Sequence, residues 1–476
     1  MEINKPNPAT PSSAYAEMSG FWDTISDILA GAEAIRAKGE KYLPKFPEET
    51  RDEFARRVKT APWRPEFDDA LAALVAKPFT REVKADASTD EMKAFIEDVD
   101  TRGSNLTQFA RGIFSGGISY GLHWIFVEHS PTTGLQTLEQ KKRAGVRPYF
   151  ISVYTQDVIA VYFDLINGKI VVNYARIKEV VVERDGFGEK RISQIRELEP
   201  GLWRVYRQNE LKEWYVFEEG VTSLNYVPLV PFFTGRRDGD HMAKPPLRDL
   251  ADMQIELYRA LARLDEIENF AGYPMLSANG FTLPENGKIT VGPRSILVAP
   301  PGETATSWSF VQPEAALLQE VRASVEAKIA DMRRLGMQPM TQKSGSVTAT
   351  ATSIETAKSH SVLQAWALGL KDALEQALVI VSDYTGNASD AVSVDVFTDF
   401  TAEPFAQAPL TALSDARKNR DISRKTYWDG LQRFDVLPSD FDAEAEDEEL
   451  AAEQEGLVPE MPIDPATGTP IESTED

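Results

Sequence analysis

The residue pattern with the most definite chemistry is Gly117-Ile118-Ser119-Tyr120-Gly121. It matches G-x-S-x-G, the turn that presents a serine nucleophile in acyl-transfer enzymes. That chemistry needs a strand, a sharp turn and then a helix, so that the serine stands exposed above a sheet. Here the order of periodicities is reversed. Leu106–Gly121 reads as a helix ending in a glycine cluster, and Leu122–Val127 reads as a strand. The expectation for Ser119 is a helix-terminating turn, with a serine hydrolase as a rival. The four histidines are His123, His129, His241 and His360. His123 and His129 are six apart on a strand and turn, which is no zinc spacing, so ordinary core or surface histidines are expected. There is no G-x-x-x-x-G-K-[ST] loop and no G-x-G-x-x-G to cradle phosphates. The chain alone is therefore not expected to be an ATP-driven motor. Cysteine is absent, which removes disulfides, thiolate zinc, iron–sulfur clusters and cysteine nucleophiles together. Asn105-Leu106-Thr107 matches the glycosylation sequon, but no secretion signal accompanies it. The expectation is no catalytic residue, no metal and no cofactor.

Charge is the second chemical feature. The 476 residues carry a net −23. Residues 441–476 hold 13 Asp or Glu and no Lys or Arg, leaving −10 on the first 440. An acidic surface argues against tight duplex binding, which depends on cations neutralising phosphates. It does not exclude DNA that passes without being held. Arg417, Lys418, Arg420, Arg424, Lys425 and Arg433 cluster before the acidic tail. They read as a solvated helical face, or as a contact with nucleic acid or with acidic tails of neighbouring subunits.

The elements that must position these groups follow from periodicity. Residues 1–20, rich in Pro, Ser and Ala, read as a loose arm. Phe21–Ala37, Glu48–Lys59, Pro65–Ala76, Thr89–Asp100 and Leu106–Gly121 read as helices. Residues 122–235 read as mostly antiparallel β, with Asn167-Gly168 as a hairpin turn. Pro245–Phe270 is a long helix with Leu247, Leu250, Met253, Leu257, Leu261 and Leu264 in one stripe. Its roughly 26 residues span about 39 Å. A Gly- and Pro-rich stretch, Ala271–Gln312, separates it from a second long helix, Pro313–Leu335. Gly336-Met337-Gln338-Pro339 stops that helix, and Thr341–Val347 is a small polar loop. A capping box at Thr352-Ser353-Ile354-Glu355 opens a third long helix running to about Tyr384. Val392–Phe397 reads as a strand, Leu410–Ala416 and Ser423–Phe434 as helices, and the chain beyond Glu453 as disordered. No apolar run approaches the roughly 18 residues of a membrane span.

The ordered set resembles the portal proteins of tailed double-stranded DNA bacteriophages. It comprises two long helices around a compact Gly- and Pro-rich insert, a Gly-x-x-Pro stop, a small polar loop and a third long helix. Gly272-Tyr273-Pro274 and Gly292-Pro293 resemble parts of the insert, and Gly336-Met337-Gln338-Pro339 resembles the Gly-Val-Pro-Pro-like stretch of many portals, departing at Met337 and Gln338. Gly39-Glu40-Lys41-Tyr42-Leu43-Pro44 resembles one branch of the family.

The resemblance implies an α+β, portal-like fold. It would have an N-terminal arm at 1–20, a wing at 21–244 and a first stem helix at 245–270. A clip at 271–312, a second stem helix at 313–335 and a tunnel loop at 336–351 would follow. A long helix with a returning wing strand (352–405), a helical crown (406–456) and a disordered acidic tail (457–476) would complete it. It implies a ring, usually of twelve subunits, at one capsid vertex, assembled in the host cytoplasm. Double-stranded DNA would pass through it, with terminase large subunit, a neck adaptor and the major capsid protein as partners and no membrane. It places Gln338, Gln342, Lys343 and Ser344 in the tunnel loop facing DNA. Arg333 and Arg334 fall at the lumen or between subunits. The clip residues Asn279, Phe281, Leu283, Pro284, Glu285 and Asn286 become a docking surface. Arg417, Lys418, Arg420 and Arg424 become a crown contact with DNA. Another ring-forming neck or tail connector is the first rival, ahead of a serine hydrolase built on Ser119.

Overall fold

The strand Leu122–His129 (β2) organises the first part of the chain. It is central in a three-stranded antiparallel sheet, between Pro148–Tyr154 (β3) and Leu229–Phe233 (β9). Alternate side chains leave on opposite faces. Leu122, Trp124 and Phe126 point to one core, shared with Val161, Ala175, Ile177 and Leu198 of a second sheet. His123 lies on the other face, against the helix Leu106–Tyr120 (α6).

The structure is a computed structural model. It describes residues 7–130, 140, 143–166, 168–237, 242–272, 275–279, 307–311, 315–336, 349–386, 392–398, 400, 407–434, 436–437 and 441–456. The architecture is mixed α and β, in two units: residues 1–398 and residues 399–476.

The second sheet of the first unit is a five-stranded antiparallel meander. Its strands are Val158–Ile166 (β4), Lys169–Asp185 (β5), Gly188–Glu199 (β6), Leu202–Gln208 (β7) and Trp214–Val221 (β8), in that spatial order. Five helices precede α6: Ser13–Leu29 (α1), Ala32–Ala37 (α2), Arg51–Thr60 (α3), Glu66–Ala76 (α4) and Asp90–Glu97 (α5). The expected loose arm at 1–20 is shorter than the composition suggested. The Ser12 side chain accepts from the Tyr15 N–H and starts α1, and Ala14, Met18, Trp22, Ile25 and Ile28 form its buried stripe. A serine after a proline is a helix cap as readily as a linker residue.

The glycine cluster that ends α6 has a packing reason. A Cβ at Gly116 would lie 2.2 Å from Nδ1 of His123, and one at Gly117 would lie 2.4 Å from the Phe232 ring. The helix can approach β2 and β9 this closely only without side chains there. Gly121, at φ +82°, closes the helix, and its carbonyl accepts from the N–H groups of Thr234 and Gly235.

Three long helices follow: Arg248–Gly272 (α7), Ala315–Leu335 (α8) and Ala349–Thr385 (α9). Ion pairs fix α7 and α8 as antiparallel. Arg322 meets Glu268 at 2.9 Å, and six residues on Lys328 meets Glu256 at 3.0 Å. Beyond their far ends, Met275–Asn279 (β12) and Ser307–Val311 (β13) pair antiparallel, Met275 opposite Val311. The 37 residues of α9 correspond to about 55 Å. Its expected stripe, Leu363, Trp366, Leu370, Leu374, Leu378 and Val381, is buried throughout. Near its end, the short strand Ser393–Asp395 (β14) pairs with Lys84–Asp86 (β1), a partner too short to signal itself in the sequence. Two two-residue strands, Arg236–Arg237 (β10) and Ala243–Lys244 (β11), complete the unit.

Among the described residues, the second unit has three helices, Gln407–Lys418 (α10), Arg424–Arg433 (α11) and Ala443–Gly456 (α12). The Ser423 hydroxyl caps α11, Trp428 meets the Phe441 ring edge-on at 5.4 Å, and Arg424 meets Asp447 at 2.6 Å. The expected acidic tail, 457–476, lies outside the described residues.

Candidate functional site

The antiparallel pair α7–α8 is covered at one end and open at the other. At its root the apolar stripe is closed. Leu250, Ile255, Leu257 and Tyr258 of α7 are buried, as are Val325, Ile329 and Met332 of α8. Toward the far end burial stops. Leu261 and Leu264 of α7, and Leu318 and Val321 of α8, are only half-buried. Two helices alone cannot enclose a stripe on each, so the far end presents apolar surface.

The root is braced by polar contacts that sequence reasoning did not find. Gln254 is fully buried; its Oε1 accepts from the Phe67 N–H at 3.0 Å and its Nε2 donates to the Arg64 carbonyl at 2.8 Å. Arg259 donates to the Tyr42 carbonyl at 2.7 Å. Glu66, whose side chain is 2% exposed, receives Arg64 at 2.8 Å and Arg333 at 3.0 Å. Gly336 stops α8 against α4, where a Cβ would sit 2.7 Å from that of Ala70.

Arg333, expected at the lumen or between subunits, pairs with Glu66 of its own chain and keeps its side chain 45% exposed. Arg334 is more exposed and lies 3.4 Å from Asp331, one turn back. Gln338, Gln342, Lys343 and Ser344 lie outside the described residues. So do Phe281, Leu283, Pro284, Glu285 and Asn286; Asn279 ends β12, opposite Ser307. The basic cluster of the second unit is largely engaged within that unit. Arg417 donates to the Ile422 carbonyl at 3.1 Å, and Lys418 lies 3.7 Å from Asp415. Arg424 meets Asp447 and stands 5.1 Å from the Trp428 ring. Arg420 takes a left-handed backbone, φ +64°.

The groups that resembled catalytic residues are elsewhere and are buried. Ser119 is 2% exposed inside α6, and its hydroxyl donates to the Ser115 carbonyl at 2.8 Å. The order is helix, turn, strand, which leaves no nucleophile elbow. His123 has Nε2 2.8 Å from the Ser152 hydroxyl, and burial pushes its pKa down to about 3. A serine–histidine contact without solvent access has no route for substrate. Among the described residues, no group of three or more His, Asp or Glu side chains could hold a metal. None of the described helices is long and apolar enough to cross a membrane.

A cavity of about 830 Å³ opens between the meander and β2–β3, lined in part by Glu128, Tyr149, Arg196, Trp203 and Arg207. Arg196 sits between Glu128 at 2.6 Å and Glu179 at 2.7 Å, and these carboxylates raise its pKa against the opposing effect of burial. Its charge is met within the chain, so the cavity offers no unopposed cation there. Strand alternation could have grouped these residues, but only once the register of the sheet was known.

Residues 246–385 match a family described as a domain of unknown function (DUF4055). That span is less than half of the chain and covers α7, α8 and α9. No curated protein matches the chain. The solved chains that match this one include three from gene transfer agent particles. One is from the virion of the native gene transfer agent (GTA) particle, at 10% identity and TM-score 0.38, over 81% of this chain and 92% of that one. The second is from the neck of the native GTA particle computed with C12 symmetry, at 10% identity and TM-score 0.40, over 82% and 94%. The third is from the neck of the empty GTA particle computed with C6 symmetry, at 12% identity and TM-score 0.41, over 86% and 100%. These likenesses span most of each chain but are loose, and they transfer no function by themselves.

Proposed function

We propose that the chain is a subunit of a portal-like ring, the head-to-tail connector of a tailed double-stranded DNA phage or a particle built like one. In this reading it is a conduit for DNA packaging and ejection and has no catalytic activity of its own. The observation that supports it is the α7–α8 pair. It is braced at its root through Glu66, Gln254 and Gly336, yet it leaves Leu264, Leu318 and Val321 half-covered at its far end. A neighbouring copy packed side by side would cover them, and repetition of that packing closes a ring. The loop 337–348 would then project inward with Lys343 as its cation. The segment between β12 and β13 would meet terminase and later a neck adaptor.

Electron microscopy of the purified protein, with mass photometry, tests the reading. The expected result is a ring with a central hole and a mass near twelve subunits. A monomer at micromolar concentration in both measurements overturns it.

A further inference from the structure

The helix α4 carries two charges that its own chain leaves unmatched. One is Asp68, in the first turn. It is half-buried, and its Oδ1 has no hydrogen-bond partner among the described residues. Burial, with Asp69 adding to it, pushes the carboxyl up to about 6, and no cation of the described residues acts against that. The other is Lys77, which caps the helix in right-handed backbone, φ −60° and ψ −50°. It is half-buried as well. Burial pushes its ammonium pKa down, and no carboxylate of the described residues opposes the shift. A charge drawn out of water costs stability unless an opposite charge meets it. The contrast lies on the same helix. Glu66, more deeply buried than either, is met by both Arg64 and Arg333.

Helical geometry keeps the two groups apart. The step from Asp68 to Lys77 turns the helix by about 900°, a net half-turn, and rises about 14 Å. The side chains therefore stand on opposite flanks of α4, with the buried stripe Phe67, Ala70, Leu71 and Leu74 between them. They cannot reach each other. Apart from Asp69, the outer arc between the same flanks carries Ala72, Ala73 and Ala76, short side chains that let another surface come close on either side.

Each flank lacks what the other offers, and a second copy of the chain supplies both. We propose that Asp68 of one copy pairs with Lys77 of the next. The two flanks differ, so the contact is heterologous, and its repetition closes a ring. The inference rests on the ring reading and assigns one specific ion pair to it.

Charge reversal supplies the test. Asp68→Lys and Lys77→Glu are made singly and together in the full chain. Circular dichroism checks folding, and mass photometry reads the ring fraction at fixed protein concentration. Each single change sets like charges against each other at every contact and is expected to lower the ring fraction at least about tenfold. The double variant restores opposite charges at every contact and is expected to recover the rings. Recovery has no route within one chain, because the two positions lie on opposite flanks. Where a reversal fails to fold, a double-mutant cycle with Asp68→Asn and Lys77→Gln replaces it; the double variant is expected to lose no more than either single one, and additive losses overturn the pair. Folded single reversals that assemble like the wild-type chain, or a folded double reversal that stays unassembled, overturn the pair and leave the ring reading standing. Lys77→Glu rings that assemble normally but retain less DNA also overturn it, and move Lys77 to a phosphate contact. A wild-type chain that forms no ring overturns both readings.

Discussion

Acidification should destabilise the first unit through one histidine. His123 is completely buried, with Nε2 on the Ser152 hydroxyl and, among the described residues, no partner for Nδ1. Burial pushes its pKa down to about 3, against about 6.5 in an unfolded chain. Between those values the unfolded state binds a proton that the folded state refuses, so stability falls as pH falls. Linkage puts the loss at about 2 kcal/mol between pH 7 and pH 5, and on the order of 4 kcal/mol once pH 3 is reached. Asp68, pushed up to about 6 by burial, acts in the opposite direction over the same window. A comparison with His123→Gln cancels that contribution, and the glutamine amide can still reach Ser152. Urea unfolding followed by tryptophan fluorescence at pH 7, 6 and 5 measures the difference. The wild-type chain should lose about 2 kcal/mol more than the variant over this range. Equal pH slopes for the two proteins would refute the assignment of a neutral, proton-refusing His123.

The other predictions concern the close approaches and the brace. Gly116→Ala should cost about 2 kcal/mol by overpacking against His123, despite a helix-propensity gain of about 1 kcal/mol; in a His123→Ala background the same change should become neutral or stabilising, as read by thermal unfolding. Arg333→Ala should cost only about 1 kcal/mol, since Arg64 still faces Glu66, whereas Arg64→Ala with Arg333→Ala should cost about 3 kcal/mol and exceed the sum of the single changes. A double-mutant cycle in urea checks that coupling. Lys343→Glu should leave rings intact by mass photometry while lowering packaged DNA per particle; normal DNA content in such particles would remove Lys343 from the conduit.

What the sequence made legible was the part governed by period. The stripe of α9 is buried residue for residue as its spacing implied, and the strand order of the meander follows its hairpin turns. The polar brace was not legible, because Glu66, Gln254 and Arg333 are far apart in sequence and each type is ordinary on a helix surface. Nothing local marks Glu66 as buried. The G-x-S-x-G run misleads for a related reason. Its glycines meet steric demands from His123 and Phe232, and those demands arise from tertiary packing rather than from a turn around a nucleophile. The loose arm is shorter than composition implies because proline and serine serve helix starts as well as linkers, as Ser12 does for α1.

The distribution of charge on α8 bears on how DNA could pass such a chain. Arg322, Lys328, Arg333 and Arg334 are the helix's cations, and each lies within 3.4 Å of a carboxylate of its own chain: Glu268, Glu256, Glu66 and Asp331. Tight DNA binding gains its free energy by exchanging cations bound at phosphates for protein cations. A cation already matched by a carboxylate must give up that pair first, so its net gain at a phosphate is small. Three of these pairs are solvent-exposed on both sides, and salt screens them as it screens any phosphate contact. In the proposed ring, α8 would therefore present compensated charge to a passing duplex, along which displacement by one phosphate changes little. A duplex could be confined by such a wall without being held at any one register. In the proposed ring, firmer contacts with DNA would then have to come from outside α8, and Lys343, repeated by symmetry, is the loop cation to which the proposal assigns one.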